Sequence, residues 1–404
     1  MKARSIIISL TVSCALMMMG FGIATPIFAR RLGELGSGVE VLSLMAMASA
    51  LAQFLLAPLM GALADRFGRR PIELLALLGL TITNLAFLVA RSAEDYIVLR
   101  FLQGAFSVGM LPAAMGMIAD LAPEDHRTRW VAVIMSGYAV GFTFGPVIGG
   151  FLFERWGFIA SFGVSALLDL LALCVACVIV PETREAAIRH LQPLVVAGSG
   201  QYELAASIPR PRSYFVALLL LDFIATFGMA FIEPQMVFYL YNALSLTTAQ
   251  YGFIMGGYGM AMLVGQVALG QPGDRFGRKP VIALGFLLSS ALSLGLIIFD
   301  QFGSLVLAAL LAGVGNALIA PRLGASYLDI AVPQHRSVVQ GIRESAVSLG
   351  AVAGPLLAAC ISRWLAPQGI FTIAAVTTLA AVILALVMLK PQDHSVRPMA
   401  VTAP

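Results

Sequence analysis

The sequence predicts an all-α integral membrane protein with twelve transmembrane helices in two pseudo-symmetric six-helix bundles. Three observations support this fold class. The 404 residues are 59% hydrophobic and 11% charged, with a mean hydropathy of +0.92, whereas soluble domains have about 45–50% apolar and about 25% charged residues. The apolar residues fall into long runs, and the second half of the chain repeats motifs of the first. This composition excludes a soluble enzyme, a nucleic-acid-binding domain and a disordered chain.

Twelve apolar runs are long enough to cross a membrane. A spanning helix needs about 20 apolar residues, since each residue rises about 1.5 Å and the hydrocarbon core is about 30 Å thick. The first run is too long for the apolar part of a signal peptide and is not followed by a small-residue cleavage site. The predicted spans are 5–30, 40–64, 71–91, 96–119, 129–153, 158–181, 213–241, 248–271, 280–299, 303–328, 336–362 and 367–389.

The basic residues between the runs indicate the orientation of the chain. Lys and Arg are concentrated in the segments on the side of the termini. The segments on the other side hold a short set: Arg30, Arg31, Arg91, Arg155 and Arg363. Because cytoplasmic loops carry the excess of Lys and Arg, we expect both termini in the cytoplasm and the protein in a plasma membrane, the inner membrane of a bacterium.

The chain divides into two halves and two polar segments. Residues 1–181 and 213–390 hold six runs each and are expected to form the N-terminal and C-terminal bundles. Residues 182–212 are rich in proline and polar residues, so we expect a cytoplasmic linker. Residues 391–404 are expected to form a cytoplasmic tail.

A shift of 209 residues aligns the two halves. The loop after the second run reads Asp-Arg-Phe-Gly-Arg at 65–69 and again at 274–278. Parallel six-helix repeats with a substrate site between them are a transporter architecture. The same shift pairs further residues: Pro112 with Pro321, Asp120 with Asp329, Gly141 with Gly350, Gly145 with Gly354 and Pro146 with Pro355.

Three motifs narrow the class of transporter. They are the loop at 61–70, the sequence Leu-Arg-Phe-Leu-Gln-Gly at 99–104, and the glycine series with its Gly-Pro pair at 137–150. They resemble, in that order, the signature loop of the major facilitator superfamily, its intramembrane arginine motif, and the antiporter motif of its twelve-span drug:proton antiporter branch. The resemblance covers essentially residues 5–390, and it implies the fold of that family and transport by alternating access.

The repeated charges are expected to form a conformational latch. Asp65 and Arg69 are four residues apart, which places them on one helix face, and Asp120 ends the fourth run on the same side of the membrane. The resemblance implies ion pairs between helices that close the cytoplasmic side. Solvated topology charges are the alternative, which does not explain the matched aspartates. The complete set is Asp65, Arg69, Asp120, Asp274, Arg278 and Asp329.

Glycines at every fourth residue of the fifth run form one groove on a helix. Small residues let helices approach closely in lipid, so we expect the fifth and eleventh spans to form a close seam between the halves. The proline within the series is expected to bend or weaken the helix. The residues assigned to this packing are Gly137, Gly141, Gly145, Pro146, Gly149, Gly350 and Gly354.

Five intramembrane charges lack a counterpart in the other half and are candidates for proton coupling: Arg100, Asp222, Glu233, Arg343 and Glu344. A charge at this depth costs at least about 2.5–3.5 kcal/mol, so it needs a partner or a wet cavity. Asp222 and Glu233 share one face of the seventh run, about 16 Å apart. One of them is expected to carry a proton, and the alternative is a structural acid such as Asp222 held by an arginine. The resemblance assigns Arg100 to proton coupling.

Two further observations concern acids. Asp169 lies within the apolar sixth run, and we expect a structural partner for it, such as Asn84 of the third run. The first run carries no acidic residue, although drug antiporters of the resembled branch often have one there. The proton site is therefore expected in another span.

Polar and aromatic residues of several runs are candidates for lining a substrate cavity. Eighteen methionines would suit an adaptable cavity, although they are equally common in a membrane core. The candidates are Gln103, Tyr138, Phe142, Phe231, Gln235, Tyr258, Gln266 and Asn316.

No catalytic, metal or cofactor site is expected. The four cysteines lie within apolar runs and make no disulfide framework. No nucleophile–base set or cluster of metal ligands is present in the sequence, so an enzyme is disfavoured.

The sequence therefore predicts a proton-coupled secondary active transporter that exports amphipathic small molecules by alternating access, as multidrug efflux proteins do. Its partners would be a small-molecule substrate, protons and the lipid bilayer, without nucleic acid, and it is expected to function as a monomer. Two alternatives stay open: an exporter or symporter for a defined metabolite such as a siderophore or a sugar, and a non-transporting membrane receptor.

Overall fold

A computed structural model describes residues 3–121, 127–183, 209, 211–273, 277–330 and 336–389. These residues are almost entirely helical. The helices are α1 (Ala3–Glu34), α2 (Val39–Phe67), α3 (Arg69–Phe87), α4 (Ala93–Ser107), α5 (Met110–Leu121), α6 (Arg127–Ile179), α7 (Arg212–Asn242), α8 (Thr248–Gly273), α9 (Arg278–Ile298), α10 (Phe302–Ile330), α11 (Arg336–Ile361) and α12 (Pro367–Met388).

The helices follow the predicted spans. The first three spans are α1 to α3, the fourth is α4 with α5, the fifth and sixth share α6, and the seventh to twelfth are α7 to α12. Within the described residues, ten helices are long and apolar enough to cross a membrane. The 51-residue stretch Arg129–Ile179 counts once among them although it holds two spans, and α8 is not among them. The architecture is therefore the predicted all-helical membrane bundle.

Two backbone features modify the predicted helices. Gly157 has φ 74° within α6, a conformation that glycine adopts without steric cost, and it divides α6 into a fifth span at 127–156 and a sixth at 158–179. The fourth span, predicted as one helix, is interrupted between Ser107 and Met110. Pro112 accounts for this break, since its ring would clash with the carbonyl of residue 108 in a continuous helix.

Large apolar side chains on the outside of the bundle match a lipid-facing surface. Val89, Ile159, Val178 and Val387 are each more than two-thirds exposed, which is unusual for so many residues of a soluble monomer. The buried residues form a large cluster that joins the two halves through residues such as Phe28 and Phe231. Separate clusters fill the N-terminal half and the C-terminal half.

The fifth-span glycines pack within their own half, so their predicted place in a seam between the halves is wrong. A Cβ on Gly141 would lie 2.5 Å from the carbonyl oxygen of Ala15, and one on Gly145 would lie 2.8 Å from the Cα of Gly22. Gly137 and Gly149 meet the first span in the same way. These glycines let the first span and the fifth span approach to backbone contact.

The eleventh-span glycines are also placed within one half. A Cβ on Gly350 would lie 2.7 Å from the carbonyl oxygen of Phe223, and one on Gly354 would lie 2.9 Å from the backbone nitrogen of Phe231. Both neighbours belong to the seventh span. The duplication therefore extends from sequence to packing, because the eleventh span meets the seventh as the fifth meets the first.

The seam between the halves joins the fifth span to the eighth and the second span to the eleventh. A Cβ on Gly252 would lie 2.4 Å from the carbonyl oxygen of Pro146, and one on Gly150 would lie 2.5 Å from that of Thr248. Pro146 thus belongs to the seam as predicted. The small residues that complete the seam lie on the eighth span.

Replacing Gly145 by alanine is expected to destabilise the protein by roughly 1–3 kcal/mol, because the methyl group meets backbone atoms of the first span that cannot move aside. The apparent melting temperature of the detergent-solubilised protein measures this. Gly163→Ala is the matched control, because a Cβ on Gly163 meets no atom within 4 Å. Equal melting temperatures for the two variants would contradict the contact.

Several sequence predictions fall outside the described residues. They are most of the linker 182–212, the tail 391–404 and the position of Asp274. For Asp65 and Asp120 the backbone is described and is helical, and the side chains are not described.

Candidate functional site

A cavity of about 460 Å³ lies near the middle of the spans, mostly within the N-terminal half. Apolar side chains such as Met17, Met18 and Phe21 form part of its wall, and Glu344 and Ser348 of the eleventh span contribute from the other half. Its polar groups are amides, hydroxyls and carboxyls: Gln53, Asn84, Gln103, Ser107, Tyr138, Asp169, Glu344 and Ser348.

The predicted cavity residues are divided among several places. Gln103 and Tyr138 line the large cavity. Tyr258 and Asn316 line a separate cavity of about 30 Å³ in the C-terminal half, which has room for about one water molecule. The other predicted residues do not line the large cavity: Phe231 and Gln235 are buried, Phe142 packs against the core, and Gln266 is exposed.

Arg100 is buried and begins a chain of hydrogen bonds through the N-terminal half. Its Nη1 donates to Oε1 of Gln103 at 2.7 Å. Nε2 of Gln103 donates to Oδ1 of Asn84 at 3.3 Å, and Nδ2 of Asn84 donates to Oδ2 of Asp169 at 2.7 Å. The guanidinium also lies over the ring of Phe21, 4.7 Å from its centroid. The Asn84–Asp169 contact is the one that the sequence predicted.

Arg100 and Glu233 lie on different halves, and each is within the electrostatic influence of the other. Glu233 is half-buried on the seventh span, and Arg100 is 8% exposed on the fourth. The attraction between two opposite charges depends on the distance between them. Two of the predicted coupling residues therefore lie on opposite halves within electrostatic range of each other.

Asp222 is paired with Arg343, so the structure matches the alternative in which an arginine holds this acid. Nε of Arg343 donates to Oδ2 of Asp222 at 2.9 Å, and both side chains are largely buried. The guanidinium of Arg343 also lies 5.7 Å from the ring centroid of Tyr327. The two residues belong to the seventh and eleventh spans of one half. Glu344, next in sequence, is exposed and faces the large cavity.

We name the ends of the bundle nearest residues 3 and 389 the terminal face, and the other ends the opposite face. At the terminal face Arg278 forms an ion pair with Asp329, which joins the ninth and tenth spans within one half. Arg69 lies against the fourth span, where a Cβ on Gly116 would approach its Nε to 2.4 Å. These predicted latch residues therefore connect helices of the same half.

Glu182 is a residue of the terminal face that the sequence analysis missed. Its carboxylate accepts hydrogen bonds from the backbone N–H groups of Arg69 at 3.0 Å and Arg70 at 3.3 Å. It thereby satisfies backbone donors at the start of α3, where a negative charge also interacts favourably with the positive end of the helix dipole. A carboxylate just after the sixth span was the available signal.

Hydrogen bonds at the opposite face join the two halves, and no sequence motif predicted them. Nη2 of Arg30 donates to the carbonyl of Leu246 at 2.9 Å, and its guanidinium lies 4.0 Å from the ring centroid of Tyr241. The hydroxyl of Tyr241 donates to the carbonyl of Pro26 at 2.8 Å. These contacts close the bundle on this side. We name these contacts, together with the hydrogen bond from the backbone N–H of Ala249 to Glu154, the opposite-face closure.

Two further contacts belong to this face. The backbone N–H of Ala249 donates to Oε1 of Glu154 at 2.8 Å. Arg363 and Glu40 form a two-pronged ion pair at 2.6 Å, and this hydrogen bonding raises the pKa of the Arg363 guanidinium. Because the Arg363 side chain is 71% exposed, the pair is expected to add little stability.

The family model for the Major Facilitator Superfamily matches residues 10–215 and 218–401. A "multi-drug resistance efflux pump PmrA homolog" of Lactococcus lactis is 26% identical over 346 residues, which cover 84% of this chain and 83% of that protein. A "tetracycline resistance protein, class B" of Escherichia coli is 28% identical over 353 residues, 85% of each protein.

Solved structures with the same fold include a human organic anion transporter, MFSD10, and the nucleoside transporter NupG. The first has a TM-score of 0.69 and 23% sequence identity, and the match covers 95% of this chain and 99% of that one. The second has a TM-score of 0.74 and 14% identity, with 95% and 100% coverage. At these identities the likeness concerns the fold.

Proposed function

The chain belongs to the Major Facilitator Superfamily, a family of membrane transporters rather than enzymes, and from this premise we propose that it is a proton-coupled exporter of amphipathic small molecules. Its curated relatives carry names that refer to multidrug and tetracycline resistance, which supports drug-like cargo. We further propose that it acts as a monomer with both termini in the cytoplasm.

The observation that carries the proposal is the large cavity. Its volume of about 460 Å³ falls within the range of about 300–1,000 Å³ typical of small-molecule sites. Methionine and aromatic side chains offer adaptable apolar contact, and amide and carboxyl groups of the wall offer polar contact to one end of a ligand. An amphipathic molecule fits such a wall better than a sugar, which needs hydrogen bonds on all sides.

Alternating access is part of the proposal, and the contacts of the opposite face support it. The opposite-face closure joins the halves through Arg30, Tyr241 and Glu154. At the terminal face the described latch contact Arg278–Asp329 lies within one half, and the exposed Glu344 faces the cavity from the eleventh span. We propose that this is the state open towards the cytoplasm, and that export requires the opposite-face closure to break.

Proton coupling is proposed to depend on Arg100 and the acids near it. Movement of one half against the other would change the distance between Arg100 and Glu233, and with it the free-energy cost of charging the acid. Glu344 faces the same cavity. We assign Asp222 and Arg343 a structural role, because each neutralises the other.

Everted membrane vesicles containing the protein test the proposal. We expect an imposed gradient, acid inside, to drive uptake of at least one of tetraphenylphosphonium, ethidium and tetracycline, and an uncoupler to abolish it. Arg100→Gln is expected to reduce gradient-driven uptake at least tenfold, whereas Arg155→Gln, an exposed arginine at the opposite face, leaves it unchanged. If the folded protein takes up none of the three compounds in response to the imposed gradient, the proposal is contradicted.

A further inference from the structure

Asp169 is a buried carboxyl group whose neighbours are neutral. It is 1% exposed, and its Oδ2 accepts a hydrogen bond from the Asn84 amide at 2.7 Å. Its Oδ1 is buried and has no hydrogen-bond partner among the described residues. An ionised carboxylate in such a place costs several kcal/mol unless it is paired. Uptake of a proton removes that cost.

Asp169 lies in the wall of the cavity. Asp169 contributes to the cavity wall together with Gln103 and Tyr138. Gly20 of the first span faces it, and a Cβ on Gly20 would lie 3.4 Å from Oδ1. Glycine at this position lets the first span pack closely against the carboxyl group. The carboxyl group therefore belongs to a residue of the cavity wall while its free oxygen is buried.

The hydrogen-bond chain from Arg100 distinguishes the two oxygens of Asp169. Each amide in the chain donates in the direction of the acid, from Arg100 to Gln103, then to Asn84, then to Oδ2 of Asp169. Oδ2 already accepts one hydrogen bond, whereas Oδ1 has no partner among the described residues, which favours Oδ1 as the site of the proton. The chain also ties the position of Asp169 to that of Arg100, although the guanidinium does not touch the carboxylate.

The other acids of the spans are placed differently. Asp222 is neutralised by Arg343, Glu233 lies in the field of Arg100, and Glu344 is exposed. Glu73 is fully buried without a side-chain partner among the described residues, but it does not line the cavity. Asp169 combines burial, neutral partners and access to the cavity. The titratable groups that share its cavity are Tyr138 and Glu344.

We propose that Asp169 carries the proton that this protein exchanges for its cargo. The inference rests on the proposed function and identifies the acid at that site. A proton binds to Oδ1 of Asp169 when no cationic ligand occupies the cavity. A cationic group that enters the same cavity stabilises the ionised form and displaces the proton, which leaves to water. Proton and cargo then occupy the site in turn, as exchange requires.

Infrared spectroscopy of the purified full-length protein tests the protonation without any ligand. We expect a C=O stretching band of a protonated carboxyl at neutral pH, which disappears on alkaline titration. Asp169→Asn should remove this band. Glu94→Gln, which alters an exposed acid, should leave it, and Glu73→Gln separates any contribution of the other buried acid. A band unchanged in Asp169→Asn would overturn the proposal.

Proteoliposomes test whether this proton is the exchanged one. With tetraphenylphosphonium as the probe, Asp169→Asn is expected to exchange labelled for unlabelled probe across the membrane but to lose gradient-driven accumulation at least tenfold. Accumulation at the wild-type level would refute the role of Asp169 while leaving the export proposal intact. If wild-type protein neither exchanges nor accumulates tetraphenylphosphonium, ethidium or tetracycline, the proposed function fails, and the infrared result still decides the protonation of Asp169.

Discussion

Replacing Asp222 by alanine is expected to lower the free energy of unfolding by about 3–5 kcal/mol, because it leaves the guanidinium of Arg343 in a span without its counter-charge. The side chains of Asp222 and Arg343 are 6% and 18% exposed, and the Nε–Oδ2 distance is 2.9 Å. Solvent therefore offers little compensation. The loss is measured as a fall in the apparent melting temperature and in the yield of monodisperse protein after solubilisation.

The double variant Asp222→Leu with Arg343→Met is the control that separates stability from coupling. Replacement of both charges by apolar groups of similar size is often neutral for stability, so we expect most of the lost stability to return. We also expect gradient-driven transport to return with it, since the pair is structural. A stable double variant without proton coupling would show that the pair takes part in coupling and contradict its structural role.

Much of the fold could be predicted because the bilayer imposes strict conditions on a chain. Every backbone polar group in lipid must be satisfied within the chain, so long apolar runs become helices. The same condition made the partner of Asp169 predictable. A carboxyl group in an apolar run needs a polar neighbour, and Asn84 was an available one on the third span.

The packing partner of the glycine groove could not be read from its spacing. Glycines four residues apart show that a helix has a flat face, but the pattern is the same whichever helix fills it. The first span fills it here, at Ala15 and Gly22. The seam between the halves depends instead on Gly252 and Gly150, which meet backbone atoms and have no side-chain partner that a sequence could reveal.

The opposite-face closure was hidden for the same reason. Arg30 donates to the carbonyl of Leu246, and Tyr241 donates to the carbonyl of Pro26. Every residue has a backbone carbonyl, so an acceptor of this kind leaves no signature in the sequence. In the sequence, Arg30 indicates only the topology of the chain. Its contact with the other half depends on the arrangement of the helices.

Replacing Arg30 by alanine is expected to open the opposite face. The variant loses a hydrogen bond from a charged donor, worth about 1.5–3 kcal/mol, and a cation–π contact with Tyr241, worth about 0.5–1 kcal/mol at an accessible site. A total of about 2–4 kcal/mol changes the ratio of closed to open states by roughly 30-fold or more. Transport is expected to slow, since the protein would spend more of the cycle in the state that is open at the opposite face.

Spin labels at the opposite face measure the opening directly. Cysteines introduced in place of the exposed residues Glu94 and Asp300 place one label on each half, after replacement of the native cysteines. Their distance distribution should gain a longer component in Arg30→Ala. Arg155→Ala removes an exposed arginine of the same face and should keep the wild-type distribution. Identical distributions in all three proteins would show that apolar packing around Phe28 and Phe231, rather than these polar contacts, holds the halves together on this side.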